Sequence, residues 1–370
     1  MKVSNINRDI LRQTMADLDE ATISKFKNLG KWLDGSLLPT FRQMIDYAKA
    51  ADIPFGYLFL EELPEETPTI PHYRTTTNQT VEPSAFLKAS IKQIEERQIW
   101  AKDLLLDLGA EPLPFANQFT IQHEVDEVVI TIAKLLKIQN KNWANHWSTW
   151  TKALSFLIEQ TEAAGIFVVK NGVVGNNNRK PLNVEEFRGF VLYDEIAPFI
   201  FINGKDAIAG QIFTLIHEIA HVLIGESASF DLSFTASHHN NIEKFCNQVA
   251  ASFLLPQELV EHYYEEENYN ALARRFKVSQ IAVARRLLDL GQISREQFFD
   301  FYNIYKQQNF SSKKSQGGNF YNSARYKVSN RFFGLVNTSL LEGKIRPMDA
   351  FRLTGLKAKT YATYLEQSKE

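Results

Sequence analysis

The sequence predicts an α+β protein, mainly helical, with a small β-sheet set between helical regions. Three observations carry that reading. Apolar residues recur at helical spacing through the first half of the 370-residue chain. The texture changes at Gly165, where β-branched and aromatic runs bounded by glycine and asparagine begin. From Ile212 onward the helical pattern returns.

Taken in order, Leu11, Met15 and Leu18 share a helical face, as do Phe41, Met44, Ile45 and Ala48 after the turn at Pro39-Thr40. Glu61 to Pro71 is acidic and proline-rich and reads as a linker. Glu82 to Leu108 reads as one long amphipathic helix, with further helices over Glu124–Leu136 and Trp143–Ala164. Strands are expected at Gly165–Lys170, Gly189–Asp194 and Ala197–Asn203. Ser311 to Asn319 is a late loop, followed by a small helical tail. No internal repeat is present.

Composition narrows the function classes. Hydrophobic residues at 44% and charged residues at 23% fit a folded globular chain rather than a disordered one. The net charge of −2 gives the whole molecule no general attraction for nucleic acid. The single cysteine, Cys246, excludes an internal disulfide and fits a reducing, cytoplasmic location. Met1 to Ile10 lacks the apolar core of a secretory signal. No apolar stretch is long enough to span a bilayer, so no membrane association is expected.

The chemistry lies in Phe213 to Leu223, FTLIHEIAHVL. His217-Glu218-Ile219-Ala220-His221 is an H-E-x-x-H motif. Residues four apart on a helix lie one above the other, so two imidazoles can converge on one metal ion. Glu218 is then placed to reach a water on that metal as general base. The flanking Leu215, Ile216, Ile219, Ala220, Val222 and Leu223 make this a buried helix. A third ligand is required. The extended metzincin pattern fails, because Ile224 and Ser227 stand where it needs glycine and histidine. Glu243 is the preferred ligand, 22 residues after His221 at the start of the helical run Ile242–Leu255. Asp231, His238 and His239 compete for the role from the connecting loop. Asn247, one turn after Glu243, is expected to fix that carboxylate by a hydrogen bond. Cys246 reads as a packed core residue.

The blocks FIFINGKD, FTLIHEIAHVL, IEKFCNQVAASFLLP and LARRFKVSQIAVARRL, in this order, resemble the ImmA/IrrE metallopeptidases. The resemblance implies a zincin-like peptidase core holding one zinc ion per chain. It places His217, His221 and Glu243 at the metal-ligand positions and Glu218 at the general base. It further implies a substrate that is a helix-turn-helix repressor or antitoxin, whose loss derepresses genes of a mobile element, defence or stress system. Cys246 stands where alanine is usual. Asn28 to Glu66 resembles the second half of an Xre-type helix-turn-helix domain, while the first half does not, so a degenerate fold used for packing or partner contact is expected. The resulting division is 1–66 helix-turn-helix-like, 67–140 helical linker region, 141–300 peptidase and 301–370 basic helical region.

Other expectations concern the substrate path and the chain ends. Because Ala197–Asn203 immediately precedes the active-site helix, Phe201, Ile202 and Asn203 are expected to form an edge that pairs with an extended peptide. His238 and His239 are candidate oxyanion stabilisers, with His262 and Tyr263 as further ones. Leu272 to Leu287 reads as helix-turn-helix, turning at Lys277-Val278-Ser279, and is taken as structural. From Phe301 on, twelve Lys/Arg face four Asp/Glu and aromatics interleave. That mixture suits single-stranded nucleic acid, but a helical appendage with core aromatics is favoured. The alternative to the enzyme is a DNA- or protein-binding regulator with a structural or vestigial metal site. Glu218 argues against it, since a structural site has no use for a base beside its first ligand.

Overall fold

The β-branched and aromatic runs do form strands, and a fourth joins them: β1 Phe167–Asn171, β2 Gly189–Leu192, β3 Phe199–Asn203 and β4 Ala228–Phe230. These come from a computed structural model that describes residues 2–16, 18, 20–51, 53, 55–62, 83–225, 228–230, 241–264, 268–309 and 326–367. The strand order is β1-β3-β2-β4. β1 and β3 are parallel, in register from Phe167↔Phe199 to Asn171↔Asn203. β2 is antiparallel to β3 and to β4.

Successive side chains on a strand face opposite sides, and here both sides are covered. Val168, Val191, Ile200 and Ile202 face one core. Phe167, Val169, Phe190, Leu192, Phe199 and Phe201 face the other. Coverage on both faces explains why the strands read as continuous apolar runs rather than alternating ones. Cross-strand ring pairs reinforce the register: Phe167 stacks on Phe199 at 4.5 Å and Phe190 on Phe201 at 4.9 Å.

The first core is closed by α6 (Val125–Leu135), α7 (Trp150–Ala163), α8 (Ile208–Ile224) and α9 (Asn241–Leu254), with α10 (Gln257–Tyr263), α11 (Tyr269–Phe276), α12 (Gln280–Asp289) and α13 (Arg295–Asn309) following. The second is closed by α5 (Ala85–Asp107) together with α14 (Asn330–Leu341), α15 (Pro347–Thr354) and α16 (Ala358–Gln367). α5 is bound to the sheet by Gln98, whose amide donates to the carbonyls of Leu192 and Ala197. It is bound to the C-terminal helices by buried Arg97, which donates to the carbonyls of Leu353 and Thr354. Phe332 of α14 meets Trp100, Phe167 and Phe199 edge-on. Tyr326, Phe332 and Phe333 are all buried. They are core, as the favoured reading of the tail expected, and cannot stack on nucleic-acid bases. Phe310, Phe320, Tyr321 and the 311–319 loop lie outside the described residues.

One expectation is overturned. β3 is not an edge: it is paired with β1 on one side and β2 on the other. Phe201, Ile202 and Asn203 therefore have their backbone groups engaged and their side chains buried, leaving no row for a peptide to join. Chain order put β3 next to α8, but not at the border of the sheet. That border is β4.

The chain divides into two compact units, Met1–Pro68 and Thr69–Glu370. The first is helical: α1 Arg8–Ala16, α2 Glu20–Ile23, α3 Leu29–Leu33, α4 Phe41–Ala51 and a 3₁₀ turn at Phe55–Phe59. Its core holds Ile10, Leu11, Leu29, Trp32, Met44, Tyr47, Ala48 and Leu58. α2 and α3 are four and five residues long, and α3 turns Leu29 and Trp32 inward. Residues 63–71 of the expected linker lie outside the described residues. Among the described residues, no helix is long and apolar enough to cross a membrane.

Candidate metal centre

α8 is apolar nearly all round, and every residue from Gln211 to Ile224 is buried, as expected of a helix at the centre of a core. It ends at Gly225, whose left-handed conformation (φ 84°) returns its N–H to the His221 carbonyl. The next carbonyls, of Val222 and Leu223, accept from the backbone N–H of Asn117 and Phe119. A helix anchored at its last turn holds His217 and His221 fixed.

α9 packs against α8 through Phe245, Cys246, Val249, Ala250 and Phe253. Cys246 is fully buried, as expected. This packing points Glu243, in the first turn of α9, at the two imidazoles. His217 Nε2 lies 3.1 Å from Glu243 Oε2, and His221 Nε2 lies 3.1 Å from Glu243 Oε1. The two Nε2 atoms are 3.1 Å apart. A tetrahedral zinc site with ligand bonds of about 2.0–2.1 Å has ligand–ligand edges of about 3.3 Å. The three atoms therefore fit one shared cation, and among the described residues this group could hold a metal ion.

The electrostatics agree. Burial, opposed by Glu243, pushes His217 down to about 4, so its imidazole is neutral at physiological pH and offers a lone pair. Burial works against the Glu243 carboxylate, but the two imidazoles outweigh it and hold its pKa below the ordinary range. Glu218 is fully buried, and neither of its carboxylate oxygens has a hydrogen-bond partner among the described residues. Burial first, then the Glu243 charge, raises its pKa well above the usual carboxyl value. An uncompensated buried carboxylate is costly, and a cation held by the three converging ligand atoms would offset its charge.

The Asn247 side chain is hydrogen-bonded to His217. One turn along α9 from Glu243 it faces α8, so the imidazole is the group it meets.

Two neighbours escaped the sequence reading. Gly189 opens β2 on the α8 side, opposite Ile202. A Cβ there would lie 2.4 Å from Thr214 Cγ2, 2.8 Å from the Phe201 carbonyl oxygen and 3.3 Å from Glu218 Oε1. Only glycine lets the strand approach this closely. Thr214, one turn before Glu218, is buried with it. The only sequence signal was a glycine at the head of a strand, which many turns also supply.

His262 and Tyr263 pack against each other on α10, and the Arg275 guanidinium sits 3.7 Å over the Tyr263 ring. Asp231, His238 and His239 lie outside the described residues. α11 and α12 form the expected helix-turn-helix, with Lys277 left-handed in the turn (φ 57°). Val283, Ala284 and Leu287 are buried in the first core, and Arg286 donates to the Leu255 carbonyl. That bond ties the unit to the residue that follows α9.

Residues 161–288 match a peptidase family described as the IrrE N-terminal-like domain. The segment is similar to a metallopeptidase family. The match runs from the end of α7 through α12 and includes His217, Glu218, His221 and Glu243, which supports a metallopeptidase-type function. Residues 328–367 match a domain of unknown function (DUF8813). No curated protein matched the chain.

Proposed function

We propose that the chain is a zinc-dependent endopeptidase, with His217, His221 and Glu243 as ligands and Glu218 as catalytic base. The observation that carries this reading is Glu218: a buried carboxylate with no hydrogen-bond partner among the described residues, on the helix that carries two of three converging ligand atoms. Three protein ligands leave a fourth position open, which suits a catalytic site rather than a structural one. Zinc suits a His₂Glu set, and when bound it lowers the pKa of a water to about 7 and polarises a carbonyl oxygen. Glu218 takes the proton from the attacking water and passes it to the leaving amine. Its raised affinity for a proton suits that shuttle. Asn247 steadies the His217 ring, and Gly189 lets β2 press against the base. His238 and His239, in the segment between β4 and α9, remain the proposed partners of the developing oxyanion.

β4 lies at the border of the sheet and against α8, so its outer edge replaces β3 as the proposed docking line for an extended peptide. The proposed substrate is a helix-turn-helix repressor or antitoxin whose loss derepresses genes, in a cytoplasmic setting. Support for this comes from the resemblance of the sequence blocks and from the match over residues 161–288. The N-terminal unit, with its short α2 and α3, is proposed as a packing or partner-contact element.

The test is incubation of the chain with a repressor encoded beside it, read by the appearance of two fragments. Wild type is expected to cleave, and Glu218→Gln or a zinc chelator to abolish cleavage. Cleavage that persists in Glu218→Gln would overturn the assignment of the base.

A further inference from the structure

The peptidase reading gives no role to the outer side of residues 326–367. α15 and α16 are joined by three residues, Gly355-Leu356-Lys357. Gly355 is left-handed (φ 68°) and its N–H closes on the Arg352 carbonyl. Two short helices joined by a three-residue turn containing glycine, and held by a third helix, make a helix-turn-helix. The third helix is α14. Phe333 packs on Tyr361 at 4.8 Å and on Tyr364 at 4.4 Å, and Phe351 of α15 meets Tyr361 at 5.6 Å. Tyr364 Oη donates to the Val328 carbonyl.

The decisive feature is which side of α16 faces water. Tyr361 and Tyr364 are buried. Ala358, Lys359, Ala362 and Glu366 are exposed and Thr363 is half-buried, so the outward side carries short residues and one lysine, with a single carboxylate at its C-terminal end. Short side chains allow a helix to approach the floor of a groove. Alanine and threonine methyls can meet thymine methyls, and a lysine can reach the acceptors of guanine. Arg352 and Lys357 are exposed beside this face. Over residues 326–367 seven Lys/Arg stand against three Asp/Glu. Two of those acids are engaged: Glu342 pairs with Lys344, and Asp349 closes the capping box of α15. The local charge is thus positive although the chain's net charge is −2. The α11–α12 unit differs, since its second helix is built into the core.

We propose that α15 and α16 form a DNA-reading helix-turn-helix, with α16 entering the major groove of duplex DNA through Ala358, Lys359, Ala362 and Thr363, and Arg352 and Lys357 meeting phosphates. The peptidase would then be placed on DNA by its own chain. This inference goes beyond the peptidase reading and does not rest on it.

The test uses the full-length chain and a randomised duplex of about two helical turns, taken through rounds of selection. The selected duplex is then measured by fluorescence anisotropy against a scrambled duplex and against its own single strand. The proposal expects a sequence to be enriched and bound at least about tenfold more tightly than the scrambled duplex. Affinity should fall with salt with a log–log slope of about −2 to −4, as for a few phosphate contacts. Lys357→Glu with Lys359→Glu should weaken binding at least about tenfold, while Arg274→Glu on α11 and Glu218→Gln bind as wild type. Failure to enrich any sequence, equal binding by the double variant, or tighter binding of the single strand would each overturn it. Zinc content and cleavage do not enter this measurement, so its failure and that of the peptidase reading are distinguishable.

Discussion

Glu218 and Gly189 show how the site works at the scale of single residues. Glu218 is buried beside His217 with no hydrogen-bond partner among the described residues, and Gly189 is the backbone that closes over it. Replacing Glu218 with glutamine keeps the shape and removes the proton acceptor. Cleavage is expected to fall by about 10²–10⁴-fold, the usual contribution of a positioned general base, with metal content unchanged. Gly189→Ala drives a methyl into Thr214 and the Phe201 carbonyl. A loss of about 1–3 kcal/mol in denaturant unfolding is expected, with weaker cleavage because α8 must move off β2. Unchanged stability and cleavage in that variant would show that β2 does not position the base. The sequence made the histidine pair and Glu218 legible because helical spacing is local. Gly189 stayed hidden because its importance arises across a strand–helix contact. Asn247 was recognised as a helper, but its partner depended on how α9 faces α8.

Among the elements, the junction of α7, β1 and α14 holds a second buried carboxylate. Glu162 is 7% exposed and accepts from Ser329 Oγ at 2.5 Å and from the backbone N–H groups of Val168, Asn330 and Arg331. Burial outweighs these bonds and pushes it up from 4.5 to about 7. Between those values the folded chain holds a proton that the unfolded chain has lost. Stability from this group is therefore full below about pH 4.5 and lost as pH rises through about 7, by about 3 kcal/mol. Glu162→Gln should remove that part of the pH dependence, seen as the wild-type-minus-variant difference in unfolding free energy across pH 4.5 to 7. A difference independent of pH would contradict it. Ser329→Ala removes both this bond and the N-cap of α14, since Ser329 Oγ also accepts from Phe332 N–H. A loss of about 1–3 kcal/mol is expected by the same measurement. Neither residue stands out in the sequence, because 167 positions separate them. The strands were legible from composition. Their order was not, since strand pairing is set by tertiary packing, and β3 proved internal for that reason.

For the whole molecule, the layering assigns the C-terminal helices a structural duty. They cover the sheet face opposite α8, so that face, with Phe167, Phe190, Phe199 and Phe201, depends on residues far away in the chain. Phe332→Ala should cost about 3–5 kcal/mol, the range for an aromatic removed from a packed core, although it lies far in sequence from the metal ligands. Calorimetric unfolding checks this, and a change under about 1 kcal/mol would mean that the face is covered some other way. Composition alone favoured a helical appendage with core aromatics for this tail, and Tyr326, Phe332 and Phe333 are buried. Its turn at Gly355 was not legible, because a lone glycine marks loops and helix ends alike and its left-handed conformation is set by the packing of the helices around it.

The central claim is one metal ion held by His217, His221 and Glu243, and elemental analysis of the purified chain tests it most directly. Wild type and Glu218→Gln are expected to hold about one zinc per chain, while Glu243→Ala and His217→Ala hold far less. Zinc absent from the wild type, or retained in full by Glu243→Ala, would contradict the claim.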